Sequence, residues 1–125
     1  MADNLAQYKA QRYLKDFYNL SNQADIKGFY YETRLRSVIV LEITLATFDK
    51  KHPVSFEYLC DNIPKKLGKR TTIQTILLEG IRKGYFLKTI SEVDKRIKFY
   101  TLEKISLEII KKWLQEQEMY SNFHS

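Results

Sequence analysis

The 125-residue sequence contains few of the residues that cross-link or interrupt a chain: one cysteine, two prolines and four glycines. The single cysteine, Cys60, excludes an internal disulfide and a cysteine-rich zinc site, and it is consistent with a reducing compartment. The scarcity of proline and glycine, together with a 44% share of hydrophobic residues, predicts a compact and mainly helical chain. One domain of this length can bury a core without help from disulfides or metals.

Long apolar segments and the common enzyme motifs are absent as well. No apolar run approaches the roughly 18 residues that a membrane-spanning helix requires, and residues 1–4 lack the basic and apolar regions of a secretion signal. We therefore expect a cytoplasmic protein with no membrane partner. There is no glycine-rich phosphate loop and no paired acidic motif, and His52 and His124 lack metal-ligand spacing. The sequence thus predicts neither an enzyme nor a bound cofactor or metal.

Positive charge is what the sequence does have, and it is concentrated in one segment. Residues 65–98 contain ten Lys or Arg and three Asp or Glu, a local charge of +7, whereas the whole chain carries +6. The rest of the chain is therefore close to neutral. A concentrated basic surface attracts a polyanion such as nucleic acid, although the same charges could form an ordinary solvated face.

The spacing of apolar residues predicts helices over residues 4–19, 31–48, 56–62, 70–83 and 103–119. Asp3 or Asn4 is the expected N-cap of the first helix, and Ser55 is the expected N-cap of the third. The polar segment from Ser21 to Gly28 is interpreted as a loop. The segment from Val38 to Leu45 is apolar on nearly all sides, which is typical of a buried central helix, although its β-branched residues also allow a strand.

The basic segment combines a helix with a candidate β-hairpin. On the helix, Ile73, Ile76, Leu77, Gly80 and Ile81 share one face, and Thr71, Thr75, Leu78 and Arg82 lie opposite. A glycine inside a helix costs about 1 kcal/mol relative to alanine unless close packing requires it. After Gly84, residues 85–90 and 97–102 are aromatic and β-branched, with six polar-leaning residues between them, and this pattern predicts a hairpin.

This order of elements resembles the winged helix-turn-helix, and specifically the MarR family of bacterial transcription regulators. Thr71-Thr72-Ile73, followed after ten residues by Gly84-Tyr85-Phe86, is similar to the family's recognition helix and first wing strand. Asp94-x-Arg96, followed by Phe99 and Leu102, is similar to its wing motif. The resemblance implies a mainly α fold with a small β-hairpin wing. It also implies a single domain, 1–125, with a winged-helix region at about 31–102 and dimerisation helices at about 4–30 and 103–120.

The resemblance further implies a homodimeric, sequence-specific regulator that binds double-stranded DNA, with a small-molecule effector that no residue identifies. Helix N-terminal residues reach bases in the major groove, and a wing arginine suits a narrow minor groove. For the threonines the alternative is helix capping alone, and for the hairpin cations it is a solvated tip that blunts a sheet edge. The DNA-contact candidates are Lys65, Lys66 and Lys69 on phosphates, Arg70, Thr71, Thr72, Gln74 and Thr75 facing bases, and Asp94, Lys95, Arg96 and Lys98 in the wing.

Two further sets of side chains leave alternatives open. Aromatic and apolar residues near both termini predict a homodimer interface, although they could instead close the core of the monomer. The hairpin aromatics also allow a winged-helix module that binds proteins, RNA or single strands within a larger complex. Cys60 could sense oxidation, but a small buried hydrophobe is the simpler interpretation. The terminal set is Tyr8, Tyr13, Phe17, Tyr18, Trp113, Leu114, Tyr120 and Phe123, and the hairpin set is Tyr85, Phe86, Phe99 and Tyr100.

Overall fold

The computed structural model describes residues 2–124, with the side chains of residues 3–117. Within this part of the chain, six helices accompany one three-stranded antiparallel sheet, which confirms the mainly α fold with a small β-hairpin. None of the described helices is long and apolar enough to cross a bilayer. The elements are α1 (Ala2–Leu20), α2 (Ile26–Glu32), α3 (Arg34–Phe48), β1 (Val54–Ser55), α4 (Phe56–Asn62), α5 (Arg70–Arg82), β2 (Phe86–Ile90), β3 (Lys98–Leu102) and α6 (Lys104–His124).

The segment after α1 differs from the sequence prediction. A loop is expected from Ser21 to Gly28, but α2 begins inside it because the Asp25 side chain accepts a hydrogen bond from the Lys27 N–H at 2.9 Å and so caps the helix. The burial of Ile26 stabilises this short helix. Gly28 is needed for packing rather than for a turn, since a Cβ there would lie 2.0 Å from the carbonyl oxygen of Gln23.

Two helix starts also differ from the prediction. The expected helix over residues 31–48 is wrong at Thr33, where the backbone is extended and the threonine hydroxyl accepts from the Arg36 N–H at 3.1 Å. This cap ends α2 and starts α3 in a new direction. The expected N-cap at Asp3 or Asn4 is wrong because α1 already begins at Ala2, which places both residues inside its first turn.

The core is built around α3, as the apolar segment predicts, and the strand alternative for this segment is wrong. Ile39, Val40 and Ile43 are fully buried, and they belong to the same core as Leu77 of α5 and Phe86 of β2. Burying aliphatic side chains of this size stabilises a fold by roughly 1.5–3 kcal/mol each. The core therefore fixes α5 and the start of the hairpin against a central helix.

The sheet contains a strand that the sequence does not predict. β1 is only two residues long, and it pairs with β3 so that Val54 lies opposite Tyr100 and the strand order is β1-β3-β2. Ser55, the last residue of β1, accepts a hydrogen bond from the Tyr58 N–H at 3.1 Å, which confirms the predicted cap of α4. The Thr47 hydroxyl accepts from the Leu102 N–H at 2.9 Å. These contacts hold the hairpin against α3 and α4.

α1 lies at the edge of the molecule and leaves its apolar residues uncovered. Tyr13, Leu14 and Phe17 are half exposed, and Tyr18 is 65% exposed. The alternative in which the α1 aromatics close the core of the monomer is therefore wrong for Tyr13 and Tyr18, whereas the Phe17 ring packs edge-to-face 5.1 Å from the Tyr31 ring. On α6, Trp113 packs against the rings of two α2 tyrosines. The side chains of Tyr120 and Phe123 lie outside the described residues.

Candidate nucleic-acid interface

α5 presents a polar face to solvent because its apolar face is fixed in the core. Ile73, Ile76, Leu77 and Gly80 are buried, which confirms the predicted face. Thr71, Thr72 and Thr75 are exposed and Gln74 is half buried. The capping alternative for the two leading threonines is wrong, because Lys69 occupies the N-cap position and no side chain caps this helix. The first N–H groups of α5 therefore stay available for an external acceptor, and the helix dipole favours an anion there.

The turn before α5 carries three of the predicted basic residues. Lys65, Lys66 and Lys69 are all exposed around the start of the helix. The turn is closed by a hydrogen bond from the Leu67 N–H to the Pro64 carbonyl at 2.9 Å. Gly68 brings the turn against α3, since a Cβ there would lie 2.2 Å from the Leu35 Cδ2 atom. The three lysines thus lie on a turn that is packed against the central helix.

Arg70, the first residue of α5, is already engaged within the protein. Its two terminal nitrogens donate to the two carboxylate oxygens of Glu57 at 2.7 and 3.1 Å. Its guanidinium carbon lies 5.0 Å from the centre of the Phe56 ring. The hydrogen bonds from Arg70 lower the pKa of the Glu57 carboxyl, which keeps the pair ionised at neutral pH. Sequence reasoning assigned Arg70 to DNA and missed its partner on α4.

The tip of the β2–β3 hairpin is organised by Asp94. Its Oδ1 accepts from the Arg96 backbone N–H at 3.0 Å and from the Arg96 Nε at 3.2 Å, and its Oδ2 accepts from the guanidinium at 3.1 Å. These hydrogen bonds lower the pKa of the Asp94 carboxyl. The Ser91 hydroxyl accepts from the Val93 and Asp94 N–H groups and orders the other side of the turn. The Arg96 side chain is 90% exposed, and Lys95 is exposed beside it.

A groove of about 340 Å³ separates α5 from the hairpin. It brings together the predicted residues Gln74, Arg96 and Lys98. Sequence reasoning missed Lys88, which lies opposite Tyr100 in the sheet register and points to the same side of the sheet. The period-two alternation of β2 is the signal that could have identified it. The groove also contains Glu57, Leu78, Ser55, Phe56, Ile97 and Tyr100.

An ion pair that the sequence does not predict connects α5 to α3. The Arg36 Nη2 atom lies 2.6 Å from the Glu79 Oε2 atom, and the two side chains are only 14% and 17% exposed. The Arg36 guanidinium also lies 4.6 Å from the centre of the Phe29 ring, and Lys83 contacts Glu79 at 3.1 Å. The hydrogen bond from Arg36 lowers the pKa of the Glu79 carboxyl. This cluster fixes the last turn of α5 relative to α2 and α3.

The hairpin aromatics do not form an exposed stacking surface. Phe86 and Tyr100 are buried, and the Tyr85 ring packs 5.4 Å from the Phe29 ring. Cys60 is half buried, and burial raises the pKa of its thiol, so the reactive thiolate is disfavoured. Among the residues with described positions, no group of His, Cys, Asp and Glu could hold a metal ion.

Comparison with known proteins supplies the fold type. No protein-family model matches the sequence, and no curated protein shows significant similarity to it. A point mutant of MepR, from a multidrug-resistant S. aureus clinical isolate, superimposes with a TM-score of 0.54 and 14% identity, over 90% of this chain and 82% of that one. The fold is that of a MarR-type winged helix. In this fold α5 is the helix that precedes the hairpin, and β2–β3 form the wing.

A second solved structure agrees with this assignment. The heme sensor protein PefR from Streptococcus agalactiae, in complex with heme, gives a TM-score of 0.54 with 10% identity and covers 98% of this chain and 76% of that one. At such low identity the similarity establishes the winged-helix fold alone.

Proposed function

We propose that this chain is a homodimeric transcription regulator that binds double-stranded DNA in a sequence-specific manner. The observation that carries the proposal is that the +7 segment forms α5, the turn before it and the hairpin, and that a groove brings Gln74 of α5 together with Arg96 and Lys98. A surface that combines a helix with uncapped N–H groups and an exposed arginine at a hairpin tip matches the two grooves of a duplex. The winged-helix fold supports the same function.

Each part of the surface has a role in this complex. Thr71, Thr72, Gln74 and Thr75 face the bases of the major groove, where glutamine suits adenine, and Arg70 enters beside them. Lys65, Lys66 and Lys69 hold phosphates at the helix start, and Lys95 and Lys98 hold phosphates near the wing. Arg96 enters the minor groove, and Asp94 fixes its orientation. Lys88 adds a cation to the groove between helix and wing.

The uncovered side of α1 supports the proposed homodimer. Tyr13, Leu14, Phe17 and Tyr18 occupy one side of this helix and remain exposed in the monomer. Such a contiguous apolar side is unusual in a monomer and typical of an interface. A second copy that packs α1 and α6 against their equivalents would place two recognition helices about 34 Å apart on a pseudo-palindromic site.

The proposal includes a small-molecule effector that binds in an aromatic cavity of about 520 Å³. Phe17, Tyr31 and Trp113 line it, and α1, α2 and α6 all contribute to its walls. A volume in this range accommodates a drug-sized organic molecule. Because the walls of this cavity are largely aromatic, we propose an aromatic organic molecule as the class of ligand.

Equilibrium binding across a range of salt concentrations tests the function. The protein is titrated onto a random-sequence duplex and onto the corresponding single strand. Duplex DNA should bind more tightly, and its affinity should fall steeply with salt because basic side chains replace condensed counterions. A preference for the single strand would instead favour the interaction-module alternative, and salt-independent binding would contradict phosphate contact.

A further inference from the structure

Glu57 places a carboxylate on a surface that the proposed function brings against phosphates. It lines the groove that also contains Lys88, Arg96 and Lys98, and its side chain is 64% exposed. A negative charge at this position weakens the attraction to DNA. Glu57 is therefore unfavourable for DNA binding unless it has a second role. Its contact with Arg70 provides such a role.

The geometry of the contact leaves Arg70 able to bind a second partner. Glu57 accepts one hydrogen bond from each terminal nitrogen of Arg70, at 3.1 and 2.7 Å. A guanidinium has five N–H donors in a rigid planar fork, so the Nε–H and one hydrogen on each terminal nitrogen remain. Nε and the neighbouring terminal nitrogen form a second edge with two parallel donors. That edge matches two adjacent acceptors.

The orientation of Arg70 is fixed by more than one contact. The ion pair joins α4 to the first residue of α5, and the guanidinium also lies 5.0 Å from the centre of the Phe56 ring. An unrestrained arginine would lose side-chain freedom on binding DNA, and this loss weakens binding. Because Arg70 contacts both Glu57 and Phe56, its side chain is already partly ordered in the absence of DNA.

We propose that Arg70 reads a guanine in the major groove and that Glu57 is the positioning residue for this contact, an inference that rests on the DNA-binding function above. Guanine presents O6 and N7 as two adjacent acceptors, which the free edge of the fork can bind bidentately. Glu57 increases the preference for guanine-containing sites over other DNA in two ways. It preorganises Arg70 for guanine, and its charge weakens binding to sites that offer phosphate alone.

The test compares Glu57→Gln with Asp61→Asn, which removes the same charge one helical turn further along α4. Asp61 attracts Arg70 electrostatically, but the Asn variant keeps both hydrogen bonds between Arg70 and Glu57. One probe is the duplex recovered by selecting tight binders from a random pool. The other is a duplex of the same length and composition with permuted sequence. Both variants should retain the thermal stability of the wild type, because exposed ion pairs contribute little to folding.

Glu57→Gln should change the two affinities in opposite directions. Binding to the selected duplex should weaken by roughly two- to tenfold, because Arg70 loses its preorganisation. Binding to the permuted duplex should strengthen by roughly two- to fivefold, because one negative charge is gone. Asp61→Asn should strengthen binding to both duplexes. In an Arg70→Gln background, Glu57→Gln should behave like Asp61→Asn, since the residue through which it acts is absent.

Four results would overturn the inference. The first is a selected consensus without guanine, and the second is a Glu57→Gln variant that binds both duplexes like the wild type. The third is an equal strengthening on both duplexes, which would make Glu57 a simple charge. The fourth is weaker binding to the selected duplex that persists in the Arg70→Gln background. If the wild type binds no duplex at all, the DNA-binding proposal itself fails, and this inference fails with it.

Discussion

The guanidinium of Arg36 lies 2.6 Å from the carboxylate of Glu79, and this ion pair joins the first turn of α3 to the last turn of α5. Both side chains are largely enclosed, so removal of one partner leaves the other without full compensation. Arg36 belongs to the central helix α3, and Glu79 belongs to α5, which forms part of the surface that we propose for DNA. The pair therefore contributes both to stability and to the placement of α5.

We expect Glu79→Gln to lower the free energy of unfolding by about 1–3 kcal/mol, since the pair is largely but not completely buried. Urea denaturation at neutral pH measures this change. Glu57→Gln is the matched control, because it makes the same substitution in an exposed ion pair and should leave stability close to that of the wild type. Equal losses in the two variants would contradict the structural role of the Arg36–Glu79 pair.

The same pair predicts how stability depends on pH. Arg36 holds the pKa of Glu79 below its ordinary value of 4.5, so the folded state binds this proton less readily than the unfolded state does. The stabilisation is therefore complete above the ordinary value and is lost as pH falls through the lowered value. Denaturation measured from neutral to acidic pH should show a smaller loss of stability in Glu79→Gln than in the wild type. If stability fell equally with pH in the wild type and in Glu79→Gln, the lowered pKa of Glu79 would not contribute to the acid sensitivity of the fold.

Gly80 should resist substitution although it lies inside a helix. Alanine normally stabilises a helix by about 1 kcal/mol over glycine, but a Cβ here would lie 2.2 and 2.3 Å from two ring carbons of Phe86. Overpacking of this kind costs roughly 1–3 kcal/mol. Gly80→Ala should therefore lower the thermal midpoint, whereas Thr72→Ala, at an exposed position of the same helix, should leave it unchanged or raise it. A higher thermal midpoint for Gly80→Ala would show that the Phe86 ring can move to accommodate the added methyl group.

The wing turn predicts opposite effects for two neighbouring acids. Asp94→Ala removes the side-chain contacts that orient Arg96, and we expect the affinity for duplex DNA to fall by roughly two- to tenfold as Arg96 loses its fixed orientation. Glu92→Ala removes the same charge from the same turn, where Glu92 is exposed, and should leave the affinity unchanged or slightly higher. Fluorescence anisotropy at constant salt distinguishes the two. Stronger binding by both variants would mean that Asp94 acts only through its charge.

The exposed side of α1 predicts the consequence of breaking the dimer. Leu14→Glu places a charge among apolar residues that the proposed interface buries, so sedimentation equilibrium should show a monomer. Asn19→Glu adds the same charge to an exposed position on the opposite side of the same helix and should leave the dimer intact. A monomeric wild type, or a dimeric Leu14→Glu variant, would place the interface elsewhere.

Local patterns predict much of this structure from sequence. The buried face of α5 follows from its helical periodicity, and the hairpin follows from alternating aromatic residues on both sides of a polar turn. Asp94 and Arg96 are only two positions apart, so their contact is local, and the resemblance to a wing motif indicates it. The boundary between α2 and α3 at Thr33 is also set by a local contact. It is difficult to predict because the apolar pattern continues across it.

Contacts between distant parts of the chain account for what the sequence does not predict. Arg36 and Glu79 are 43 positions apart, and nothing in either neighbourhood indicates a partner. β1 has two residues and forms only because β3 lies beside it. The contact between Glu57 and Arg70 depends on the path of the turn from Pro64 to Lys69, which composition alone does not determine. These tertiary contacts position the candidate DNA surface.

The most direct test of the central proposal is selection of bound duplexes from a random pool, read together with the mass of the protein–DNA complex. We predict a two-fold symmetric consensus with half-sites about one helical turn apart, guanine within each half-site and two protomers on each duplex. A consensus without symmetry, one protomer per duplex, or no enrichment of any sequence would contradict a homodimer that reads double-stranded DNA.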